Sequence, residues 1–103
     1  MLRVIFGPHF QRDLRAHTAY LRSQGDLDRI RRLDEDLAAL EETVQRFPQV
    51  GRELTREVDS SLRRLRLRHA PLFVWYVFEP ERNEIALIRL FHARQLTPDP
   101  RVL

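Results

Sequence analysis

The chain has no cysteine, no lysine and only three glycines among 103 residues. Without cysteine there is no disulfide framework and no thiolate metal site, which suits a reducing compartment, and a cytoplasmic protein is expected. His9, His17, His69 and His92 are scattered without the spacing of metal ligands, so neither a metal nor a cofactor is expected. No run approaches the ~20 apolar residues of a membrane helix, and "MLRVIFGPHF" lacks the basic start and small-residue cleavage site of a signal peptide. The absence of lysine leaves arginine as the sole permanent cation, and its planar fork pairs bidentately with carboxylate or phosphate. That favours acidic partners, although genomic base composition alone can produce the same bias.

What is present fits one small domain, residues 1–103, with 43% hydrophobic and 32% charged residues. The net charge of +3 is unevenly spread: residues 1–60 hold ten arginines against eleven carboxylates, residues 61–103 eight against four. "LRVIF", Leu2 to Phe6, reads as a first strand ended by Gly7-Pro8. Phe10, Leu14, His17 and Leu21 then mark one face of a helix over 8–23, and His9 and His17 need no role beyond it. Asp26 is a good N-cap for a second helix over 26–47, where Leu27, Ile30, Leu33, Leu37, Leu40, Val44 and Phe47 recur every three or four residues. Residues 49–61 show no clean period and read as loop. Three strand-like runs follow, Leu62 to Arg68, Leu72 to Glu79 and Glu84 to His92, with Asn83 supplying the turn between the last two. His69, in the turn before Pro71, is expected to be exposed and silent. The predicted fold is α+β, in the order β-α-α-β-β-β: a four-stranded, mostly antiparallel sheet with a helical hairpin on one face.

Alternation in "SLRRLRLR" sends Leu65 and Leu67 to one side with Arg63, and Arg64, Arg66 and Arg68 to the other. The next strand, "LFVWYVF", is apolar on both faces: Phe73, Trp75 and Val77 on one, Leu72, Val74, Tyr76 and Phe78 on the other. In the last strand, Ile85, Leu87, Arg89 and Phe91 are expected opposite Ala86, Ile88, Leu90 and His92. Two helices cover one face only. The second face, centred on Trp75 beside the arginine row, is either a partner-binding groove or is covered by the long loop and the tail, residues 96–103.

The order of elements, with "FPQVGRE" (Phe47 to Glu53) after the second helix and then "LRRLRL", "LFVWYVF" and "IALIRLFHARQ", resembles the RelE/ParE superfamily of toxins from type II toxin-antitoxin systems. Pro48, Gly51, Arg52, Leu62, Arg63, Tyr76 and the ending Leu90-Phe91-His92-Ala93-Arg94 carry the resemblance. It implies a growth inhibitor held in check by a cognate antitoxin. A ParE-like member would act on DNA gyrase; a RelE-like member would enter the ribosome and cut messenger RNA without a metal. For the nuclease, His92, Arg63, Arg89 and Arg94 would be the catalytic set, with Arg66 and Arg68 as further phosphate-binding cations and His92 the group that titrates near neutrality. Phe73 and Val77 stand where relatives often carry arginine, which thins a phosphate clamp and favours the ParE-like branch, with no catalytic residues. A non-toxic adaptor of the same fold is a third reading. For antitoxin or target binding the resemblance and the charge pattern together point to Arg63, Arg64, Arg66, Arg68, Trp75 and Arg94. Arg89 is equally readable as an ion-pair partner of a helix carboxylate.

Overall fold

The computed structural model describes residues 2–94. In chain order the elements are β1 (Arg3–Phe6), α1 (Pro8–Ser23), α2 (Leu27–Arg46), β2 (Arg52–Arg56), β3 (Ser61–Arg66), β4 (Leu72–Glu79), a 3-10 turn (Pro80–Arg82) and β5 (Glu84–His92). The class is α+β as expected, but the sheet has five strands in the order β1-β5-β4-β3-β2. It is mixed, because β1 pairs parallel with β5 while the other neighbours are antiparallel.

The additional strand, β2, lies in the segment expected to be a loop. "RELTR" is short and polar, and Leu54 is a bulge that breaks its alternation against β3, so the period-two signal is absent. What makes it a strand is the edge that β3 offers it, which no local pattern records.

The helical hairpin forms where its periodicity places it. Pro8 occupies the first turn of α1, Gly25 takes a positive φ of 68° between the helices, and the Asp26 side chain accepts from Arg29 N at 3.2 Å. Phe10, Leu21, Leu33, Leu37, Leu40 and Val44 pack against Leu72, Val74, Tyr76, Phe78, Ile85, Leu87 and Leu90 to make the main core. The ends of the α2 stripe do not join it: Leu27 and Phe47 overhang the sheet and are exposed. A second, smaller cluster on the other face contains Leu62, Trp75 and Phe91, with Leu54, Phe73, Val77 and Ile88 against it.

The two faces of β4 are divided as the alternation predicts, but those of β5 are not. Trp75 pairs with Arg89 while Tyr76 pairs with Leu87, so Ile88 is the extra residue of a bulge. Downstream of it the phase inverts. Leu90 therefore joins Ile85 and Leu87 in the main core, and Phe91 moves to the Trp75 cluster. The turn before β5 is set by Asn83, which adopts the left-handed conformation at φ 54°. Among the described residues no helix is long and apolar enough to cross a membrane.

Candidate functional site

The arginines of β3 divide by face. Arg63 pairs in register with Tyr76 and so lies on the helix side, whereas Arg64 and Arg66 pair with Trp75 and Phe73 on the second face. Arg63 is only 7% exposed. Its Nη1 donates to Gln49 O (3.0 Å) and Gly51 O (2.9 Å), its Nε to Ser61 Oγ (3.0 Å), and its Nη2 to Glu53 Oε1 (3.2 Å). This guanidinium holds the segment before β2 onto the sheet. Arg63, expected as a partner-binding residue, has its fork engaged by internal carbonyls in this structure.

Tyr76 completes the same clasp. Its hydroxyl donates to Pro48 O at 2.9 Å and accepts from Gly51 N at 2.8 Å. Burial raises the phenol above its ordinary range, against the opposing influence of the Gly51 amide and Arg63, so it stays protonated and available to donate. Gly51 is required by contact: a Cβ there would lie 2.7 Å from Tyr76 Oη and 2.9 Å from Arg64 O. The residues that carried the family resemblance at Pro48 and Gly51 thus form one structural joint with Arg63 and Tyr76.

Trp75, expected as a contact residue, is fully buried in this structure. Its ring meets Phe91 edge-on at 5.3 Å, and its Nε1–H has no hydrogen-bond partner among the described residues. Leu54 from the unexpected strand β2 and Ile88 from the bulge help to cover it. The tail, residues 96–103, lies outside the described residues. What the second face presents to solvent is Arg66, exposed, and Arg64, whose guanidinium carbon stands 4.5 Å above the Phe73 ring. Arg68 is exposed beyond the end of β3, and Arg94 is exposed just after β5.

Two members of the conditional nuclease set, Arg89 and His92, have partners within the fold. Arg89 Nε donates to Asp13 Oδ2 at 2.8 Å, and the same oxygen accepts from Leu90 N at 2.9 Å, so Asp13 of α1 caps the part of β5 that runs past β1. That is the ion-pair reading of Arg89. His92 Nδ1 accepts from Arg94 N at 3.0 Å, which places the proton of the neutral ring on Nε2.

Two features went unread in the sequence. Asp36 of α2 has a side chain 1% exposed, with Oδ2 accepting from His69 N (2.9 Å) and Ala70 N (2.8 Å) and Oδ1 facing His69 Nδ1 (2.8 Å). Burial pushes this carboxyl up, but the Ala70 and His69 amides and the His69 ring together outweigh it, and its pKa lies below the ordinary carboxylate value. His69 is exposed as expected but not silent. A signal was available: Asp36 sits on the stripe of Leu33, Leu37 and Leu40, where a solvated carboxylate does not belong. The second feature is a cleft of about 550 Å³ between α1, α2 and the turn after β3, lined by His17, Tyr20, Arg29, Arg32, His69 and His92 over Leu21, Leu33, Ala70 and Pro71. Burial, and then the nearby His92, lower the pKa of His17.

The comparisons with known proteins agree with this frame. Residues 4–97 match the family model described as the ParE toxin of the type II toxin-antitoxin system, parDE. The chain belongs to the ParE toxin family. Among solved structures, it superposes on a chain from the chromosomal ParDE toxin-antitoxin system of P. aeruginosa with a TM-score of 0.67 at 15% identity, covering 89% of this chain and 96% of that one. A chain of the archaeal RelE-RelB complex from Pyrococcus horikoshii OT3 gives a TM-score of 0.55 at 21% identity, with 92% and 98% covered. At these identities the likeness is one of fold. Comparison with curated protein sequences returns no match. The ParE toxin is thus a toxin of a type II system, and a cognate antitoxin is its partner.

Proposed function

We propose that this ParE-family toxin acts in the cytoplasm on DNA gyrase through a protein-binding surface rather than by cutting RNA, and that its antitoxin is captured by the half-buried Arg64 and the exposed Arg66, Arg68 and Arg94. The observation that carries the reading is the fate of the candidate nuclease residues. RNA cleavage through the ribose 2′-hydroxyl needs a base, an acid and cations converging on one phosphate. Here Arg63 is held by backbone carbonyls and Arg89 by Asp13, and His92 has its Nδ1 taken by the amide of Arg94. The middle strand adds Phe73 and Val77 to an apolar cluster where a cationic clamp would stand. By contrast, Arg64 and Arg66 flank an aromatic ring on an accessible face, an arrangement suited to carboxylates presented by a protein.

The test is a pair of assays with wild type and His92→Gln. Purified toxin is expected to inhibit gyrase supercoiling or accumulate cleaved plasmid, equally for both proteins, and to leave ribosome-bound messenger RNA intact. Messenger RNA cut by wild type and spared by His92→Gln, with gyrase unaffected, would replace this reading with the RelE-like one.

A further inference from the structure

The ~550 Å³ cleft on the helix side belongs neither to the arginine row nor to the Arg63–Tyr76 joint, and its lining converges from four separate parts of the chain: α1, α2, the β3–β4 turn and the end of β5. Its volume is in the ~300–1,000 Å³ range of small-ligand sites. Arg29 and Arg32 stand one turn apart on α2 and supply two guanidinium groups at its rim. Each is paired with a carboxylate, Arg29 with Asp26 at 3.2 Å and Arg32 with Asp28 at 3.1 Å, but both arginine side chains are more than half exposed. Such pairs are worth little and exchange readily for a dianion held between both forks.

The other carboxylates near the cleft are engaged elsewhere. Asp36 faces His69 Nδ1 and two amides, and Asp13, which lines an adjoining hollow of about 260 Å³, holds Arg89 and Leu90 N. Aromatic surface is present beside the cations. Tyr20 is 59% exposed, its ring tilted 35° to that of His17 with centroids 6.5 Å apart, and both rings line both hollows with His92. Leu21, Leu33, Ala70 and Pro71 give an apolar floor.

We propose that this cleft binds a small phosphorylated aromatic compound, of mononucleotide class, with the phosphate between Arg29 and Arg32 and the ring against Tyr20. Guanidinium forks match the dianion, and a flat base needs only a π face and an apolar floor, which makes the site tolerant of base identity. His17, whose pKa burial and then His92 lower, faces Tyr20, Arg29, Arg32, His69 and His92 across the cleft, with Asp13 in the adjoining hollow.

The test is calorimetric titration of the purified chain with AMP and CMP, against adenosine, inorganic phosphate and an acetylated Glu-Glu peptide, with amide NMR shifts to locate binding. The nucleotides are expected to bind at least ~10-fold tighter than adenosine, phosphate or peptide, with shifts around His17, His69 and His92. Arg29→Gln with Arg32→Gln should weaken them by ~10-fold or more and Tyr20→Ala by ~5-fold or more; all three residues are exposed, so thermal melts should match wild type. No binding at millimolar nucleotide, phosphate or peptide binding as tightly as nucleotide, shifts centred on Arg64 and Arg66, or indifference to the double substitution would each overturn the proposal. The outcome is independent of whether gyrase is the target.

Discussion

Asp36→Ala removes the acceptor that holds the β3–β4 turn to α2, and its cost can be worked from the contacts. Three groups lose a charged acceptor: His69 N, Ala70 N and His69 Nδ1, at 2.8–2.9 Å. The ring is half solvated and rebonds to water, so it contributes little; the two amides each lose a bond to a carboxylate, at ~1–2 kcal/mol apiece. A total of about 2–4 kcal/mol follows, and for a chain of this size each kcal/mol is about 4–8 °C, so Tm should fall by roughly 8–30 °C at pH 7. Asp36→Asn keeps one acceptor oxygen and should lose about half as much. The pH dependence carries the signature. Because the folded state holds this carboxyl below its unfolded value of about 3.9, its stabilisation is complete above that value and is lost as pH falls through the lower folded pKa. Wild type should therefore show an acid limb below about pH 4 that is shallower in Asp36→Ala. Thermal melts by circular dichroism from pH 2.5 to 7 measure both. A Tm within 2 °C of wild type at pH 7, or an unchanged acid limb, would refute the reasoning.

The joint around Gly51 should behave as a unit. Gly51→Ala forces a Cβ to within 2.7 Å of Tyr76 Oη and should cost about 1–3 kcal/mol, Tyr76→Phe about 1–2 kcal/mol, and the double variant less than their sum in a thermal-melt cycle. Arg63→Ala should destabilise by ~2–4 kcal/mol, because it strands Gln49 O and Gly51 O; wild-type stability with lost antitoxin binding would instead make Arg63 an interface residue. Arg64→Glu with Arg66→Glu should leave Tm within a few degrees and weaken antitoxin binding by ~10-fold or more at low salt, with a flatter salt dependence than wild type in fluorescence titrations.

Long periodic elements were legible and phase-breaking ones were not. The stripe from Ile30 to Val44 and the two-faced apolar run of β4 announce themselves, because burial on one or both faces leaves its period in the residues. β2 leaves none: five residues with a bulge at their centre become a strand by pairing with β3. The Ile88 bulge misdirects more quietly, since alternation continues through it on paper while the side chains change faces. The site divides the same way. The exposed arginines of β3 follow from alternation, but Arg63 reads as one more cation until its neighbours in space are known. His17, His69 and His92 come from three distant segments, and no spacing rule relates them to Arg29 and Arg32.

The parallel pairing of β1 with β5 has a bearing on how the molecule is made. Arg3 and Glu84 face each other in register and are joined at 2.7 Å, although they are 81 positions apart in the chain. In a growing chain β2, β3 and β4 can pair and offer Leu72, Val74, Tyr76 and Phe78 to the helical hairpin, but β1 has no neighbour until β5 has been made. The loop-closure entropy of that pairing is met only then. Completion of the sheet is therefore a late event, and β1 stays an unpaired, exposed edge while the intervening residues are synthesised.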